Sequence, residues 1–121
     1  MADAVVFEVK EYMIVLRQLE FIPNFAGGNL KLKGMVRCLG DEYSLDVYGL
    51  APDSDYPMPV YLPDEKKGYM FVPFSDLSFF IDTLRNEKPI YAHLRGDHPE
   101  WTSITTTKEP VGEGEDAMLR R

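Results

Sequence analysis

The chain has one cysteine, one tryptophan and two histidines in 121 residues, and it carries neither a long apolar run nor a phosphate-binding loop. The single thiol, Cys38, excludes an internal disulfide and with it the stapled scaffold of small secreted domains. A zinc site built on cysteines fails on the same count. The longest apolar run, Tyr12 to Leu16, is far too short to span a bilayer. Gly27-Gly28 lacks the following Gly-Lys-Ser/Thr of a nucleotide loop, and no G-x-S-x-G elbow surrounds Ser103 or Thr105 to Thr107. The opening MADAVVFEVKEY has no basic n-region, and acids interrupt its apolar residues, so it does not read as an export signal. A soluble, cytoplasmic protein with no membrane attachment is the expectation.

What is present is an ordinary globular composition, 45% hydrophobic and 27% charged, in a length suited to one domain. The formal net charge is −7. Residues 1–50 carry 5 basic and 7 acidic side chains and residues 51–121 carry 8 and 13, so most of the acidic excess lies in the second half. A negative surface repels phosphate backbones and anionic membranes, which disfavours both as general partners.

The patterning is mostly that of strands. In NLKLKGMVRC, Leu30, Leu32, Gly34, Val36 and Cys38 alternate with Lys31, Lys33, Met35 and Arg37. Gly40-Asp41-Glu42 then turns into YSLDVYGL, predicting an antiparallel hairpin in which Asp46 lies near Lys31 or Lys33. APDSDYPMP reads as an exposed loop. PVYL and GYMFVPF predict a second hairpin, its first strand at a sheet edge because Pro59 and Pro63 bracket it. A helix is predicted near residues 75–86, with Ser75 as N-cap, Asp76 beside the positive helix end, and an apolar stripe of Leu77, Phe80, Ile81 and Leu84. PIYAHLR and WTSITTT predict a third hairpin. EYMIVLRQLEFIP has helical spacing and strand composition together; a strand over residues 10–22 is favoured, because a meander would otherwise begin with a free edge. The fold expected is α+β: a single domain over residues 1–107, with a twisted antiparallel sheet of about five to seven short strands in a meander and one main helix packed on it. Residues 108–121 read as a disordered acidic tail.

HLRGDHPEW packs His93, Asp97, His98 and Glu100 around an Arg-Gly-Asp tripeptide. Imidazole and carboxylate suit a borderline metal ion, but the spacing is not that of two histidines sharing a helix face. A turn explains the stretch better, with Gly96 and Asp97 at turn positions and Pro99 ending the pairing. Cys38, on an apolar face, reads as a core residue rather than a nucleophile. Lys31, Lys33 and Arg37, with Tyr48 on the neighbouring strand, make a candidate stripe for single-stranded nucleic acid; an ordinary solvated strand face, its charge offset by Asp46 and Glu42, is favoured over it. Phe79 lies opposite the helix's apolar stripe, so either another segment covers it, the N-terminal stretch being the candidate, or it is exposed as an association surface. The function expected is that of a non-catalytic interaction or accessory module without a cofactor, its partner another protein or a second copy of the chain. The alternatives are a single-stranded nucleic-acid binder and a metal-dependent enzyme around His93 and His98.

Overall fold

Each apolar-alternating stretch of the sequence forms a strand, and the computed structural model describes residues 4–107. The acidic tail read at residues 108–121 lies outside the described residues. In chain order the elements are β1 (Ala4–Glu8), β2 (Glu11–Phe25), β3 (Gly28–Leu39), β4 (Ser44–Leu50), β5 (Val60–Leu62), β6 (Lys67–Pro73), α1 (Leu77–Asn86), β7 (Ile90–Arg95) and β8 (Ser103–Thr106). The α+β class is as expected. The strands number eight rather than five to seven, and they divide into two sheets, ordered β2-β3-β4-β6-β5 and β1-β7-β8. Neighbours are antiparallel except β4 and β6, which run parallel from Ser44 opposite Lys67 to Leu50 opposite Pro73. The meander therefore breaks after β4, where residues 51–59 carry the chain past β6 and β5 returns beside it as the edge strand. That connecting loop is less exposed than its composition implies. Ala51 and Ser54 are buried, because the Lys31 backbone N–H donates to Ser54 Oγ and the Asn29 N–H to Asp55 Oδ2.

The segment is strand, as favoured, over Glu11–Phe25, and β2 turns into β3 through Ala26 and Gly27, both at positive φ, with Phe25 opposite Gly28. Two left-handed residues in a two-residue loop match the right-handed twist of the strands they join. Gly27-Gly28 thus serves a hairpin.

The clean alternation of β3 does not survive in three dimensions. The pairing slips between Leu32, opposite Leu50, and Gly34, opposite Gly49. The extra residue, Lys33, reverses the parity of everything before it. Val36 and Cys38 enter the main core with Leu45, Val47, Leu77, Leu84, Ile90, Ala92 and Leu94, between the two sheets and under α1. Leu30 and Leu32 enter a second cluster on the opposite face with Leu50, Ile22, Phe25, Tyr48 and Phe71. Met35, expected to face solvent, is buried.

Helix α1 packs across β3 and β4, where Gly34 faces Gly49. A Cβ on Gly49 would stand 3.2 Å from the Phe74 backbone, so a side chain there would push the helix entrance back by a few tenths of an ångström. The N-cap is Asp76, without a side-chain hydrogen bond, rather than Ser75. A 3-10 turn over Phe74–Asp76, set by Pro73 and closed by the Leu77 N–H on the Phe74 carbonyl, displaces the helix start and leaves Ser75 exposed. In the third hairpin a 3-10 turn at Pro99–Trp101 delays the returning strand to Ser103.

Burial pushes the Cys38 thiol up to about 12, with Asp46 adding to it, and the Tyr48 phenol up to about 12 for the same two reasons. Both groups are neutral when protonated, so from about pH 9–10 upward the unfolded chain releases protons that the folded chain keeps. Stability is then full at pH 7–8 and falls as the pH climbs toward 12, by on the order of a few kcal/mol. Denaturant midpoints at pH 8 and pH 10.5 check this, with Tyr48→Phe flattening the fall. At pH 8 a thiol reagent should label Cys38 only at the rate of unfolding.

Candidate functional site

The site follows from five consecutive apolar residues, YMIVL, on a strand with one neighbour. β2 lies at the end of the five-stranded sheet and, among the described residues, pairs only with β3. Side chains on a strand alternate between faces. Tyr12, Ile14 and Leu16, opposite Cys38, Val36 and Gly34, share the helix side, while Met13 and Val15, opposite Arg37 and Met35, share the other. Every second residue of an apolar run can be buried against β3's core face only if something covers β2 there. Helix α1 stops short: Leu16 is 65% exposed and Phe21 60%, with Tyr12 and Ile14 also open, while Met13 on the other face is 44% exposed. At its C-terminal end the helix approaches Tyr12, which lines a cleft of about 470 Å³ with Leu84, Arg85 and Ile90.

A bulge divides the strand. Pairing slips between Leu16 and Glu20, so Arg17, Gln18 and Leu19 leave the ladder. Arg17 Nε donates to Glu20 Oε1 at 3.0 Å, and Leu19 is exposed. The regular margin therefore runs from Glu11 to Leu16. The apolar run was visible in the sequence as one too short to cross a membrane; its other meaning, large side chains on both faces of one strand, was the signal for this surface.

Phe79 is 72% exposed, so neither the N-terminal stretch nor any other described segment covers it. It borders a shallow groove of about 270 Å³ with Phe80, Thr83, Met70, Ser103 and Ile104, on the β8 side of the helix. A further groove of about 700 Å³ is lined by Lys33, Leu50, Pro52, Tyr56, Pro73, Phe74 and Ser75. Lys33 and Tyr56 are its only titratable groups, which gives it no paired acid and base.

The basic residues do not form one stripe. Because of the bulge at Lys33, Lys31 and Lys33 face away from Arg37 and Tyr48. Lys31 pairs with Asp53 and Lys33 lies over the Phe74 ring. Asp46, expected near Lys31 or Lys33, stands opposite Arg37. Its fully buried carboxylate accepts from Arg37 Nε at 2.8 Å and Arg37 Nη2 at 3.1 Å, with Lys67 Nζ at 3.2 Å. The hydrogen bonding that Arg37 donates to Asp46 raises the Arg37 pKa against the desolvation that lowers it. Tyr48, Tyr69, Phe71 and Phe25 pack edge to face beside this trio, so it is built as interior.

The histidines separate as well. His93 Nε2 meets Thr105 Oγ1, while His98 lies against Glu100 and stacks on Trp101 at 4.0 Å. Arg95 holds Asp97 with two hydrogen bonds of 2.9 and 2.8 Å, which keeps the Asp97 carboxyl far below the usual carboxylate range and engages both charges of the tripeptide. Among the described residues no three His, Cys, Asp or Glu side chains are grouped to hold a metal ion, and no helix is long and apolar enough to cross a membrane. Compared with known proteins, the chain matches no family model, no curated sequence and no solved structure.

Proposed function

We propose that the protein is a non-catalytic interaction module acting through protein–protein contacts, with the β2 margin as its principal surface and Phe79 as a subsidiary one. One observation carries the reading: a sheet-end strand offers unpaired backbone groups and five consecutive apolar side chains at the same place. An unpaired ladder edge is a template for another strand, and a contiguous apolar patch marks an association surface where scattered exposed residues do not. The histidine cluster and the basic side chains, by contrast, are engaged with neighbours of their own.

Light scattering at several concentrations tests the proposal on wild type, Leu16→Lys and Phe79→Asp. The wild-type mass is expected to rise with concentration. Leu16→Lys should weaken that association at least tenfold, while Phe79→Asp leaves it nearly unchanged. Identical masses for wild type and Leu16→Lys, together with β2 amide exchange independent of concentration, would overturn it.

A further inference from the structure

We infer that the partner of β2 is a second copy of this chain, paired edge to edge in antiparallel fashion about a twofold axis at Ile14. This rests on reading β2 as a protein-binding margin and goes on to name what binds there. The ladder-competent segment is bounded at both ends. Before it, Val9 and Lys10 carry the chain over from the three-stranded sheet, bonded to the Ile90 and Leu39 carbonyls. After it comes the bulge at Arg17, Gln18 and Leu19.

Two like strands joined by a twofold keep their faces, so the axis must fall on a residue and not between two. With the axis at Ile14, Tyr12 stands opposite the partner's Leu16, Met13 opposite the partner's Val15 and Ile14 opposite itself, while Glu11, at the end of the ladder, lies beside the partner's Arg17, where the bulge begins. Every facing pair is then apolar with apolar or acid with base. An axis at Met13 sets Glu11 against the partner's Val15, and one at Val15 sets Met13 against the partner's Arg17. The charges at the two ends thus select one register. Arg17 has guanidinium donors to spare beyond the one given to Glu20, and both Arg17 and Glu11 are exposed. The joined sheet carries the two α1 helices on one side, flanking a floor of Tyr12, Ile14 and Leu16 from each copy.

Size sets the strength. The five apolar side chains offer on the order of 400 Å² per copy, about half of what a standard interface takes from each partner. The dimer is therefore a weak one, smaller than a standard interface.

Two sets of variants test the register, each first shown by circular dichroism to be folded. Glu11→Arg and Arg17→Glu should each raise the dimer dissociation constant at least tenfold, and the double exchange should restore it to within about threefold, since the facing charges are then opposite again. Ile14→Cys should give a disulfide-linked dimer under mild oxidation, because facing Cα atoms stand about 4.5–5.5 Å apart. Leu16→Cys should not, its two copies being about 13 Å apart in this register. Cys38, fully buried, does not compete for the oxidant. Association that depends on Leu16 but shows neither charge rescue nor the Ile14 crosslink overturns the twofold and leaves the interaction reading standing, with a different docking. A wild type that remains one chain up to millimolar concentration overturns pairing between copies altogether.

Discussion

Asp46→Ala should lower the free energy of unfolding by about 3 kcal/mol, measured as a shift of the denaturant midpoint at unchanged m-value. The carboxylate is 0% exposed, and its two cations, Arg37 and Lys67, are 33% and 22% exposed at their side chains. Removing it leaves two like charges beside the Tyr48, Tyr69 and Phe71 rings with no counterion between them. An uncompensated buried charge costs about 3–5 kcal/mol; the lower figure applies because both cations can lean toward water. Asp46→Asn keeps the shape and an acceptor and should cost about 2 kcal/mol. Lys67→Met, which leaves the two-point Arg37 bond intact, should cost about 1 kcal/mol or less. If Asp46→Ala cost no more than Lys67→Met, the trio would be a surface pair in disguise and this account of the β3–β4 face would fail.

The second large effect is expected where the two sheets meet. Leu94 on β7 is fully buried in the main core, and a Cβ placed on Gly68 of β6 would lie 2.5 Å from Leu94 Cδ2. Leu94→Ala removes three carbons from that contact and leaves a cavity, at about 3–4 kcal/mol. Gly68→Ala drives a methyl into the fully buried Leu94 side chain, which must shift, at about 2 kcal/mol. The changes oppose each other, since the new methyl occupies the volume the leucine vacates. The double variant should be more stable than the sum of the single losses predicts by at least about 1 kcal/mol. Strict additivity in the denaturation series would show that the sheets do not touch at this point.

Much of the fold was legible because its strands alternate and its turns use residues with a mechanism. The three hairpins, the helix and the edge position of β5 came from Gly40-Asp41, from Pro59 and Pro63, and from the Leu77-Phe80-Ile81-Leu84 spacing. The bulge at Lys33 was not legible from alternation. Both faces of β3 are buried, so a reversal of parity leaves apolar residues in acceptable places on either side. Met35 was its one trace, an apolar side chain at a position assigned to water. The parallel pairing of β4 with β6 was hidden for a different reason: strand patterns fix which face is apolar and say nothing of direction, and a loop of residues 51–59 is long enough for either. Ser75 was misread because Pro73 starts a tighter turn ahead of the helix, a competition between two local preferences at neighbouring positions. At the candidate surface, the run from Tyr12 to Leu16 was plain in the sequence. Its exposure depended on where the helix stops, which packing decides.

The opposite end of the larger sheet has a consequence for stoichiometry. β5 spans only Val60–Leu62, and Pro59 and Pro63 flank it, each without an N–H to offer a neighbour. A sheet adhesive at both ends grows without limit into a filament, whereas one blunted at one end runs out of places to add after a single pairing. Two copies joined along β2 would present a β5 at each extremity of the joined sheet, and that sheet would stop growing at two copies. Extending β5, or replacing its prolines, removes that terminator and makes the same surface a hazard for fibre growth.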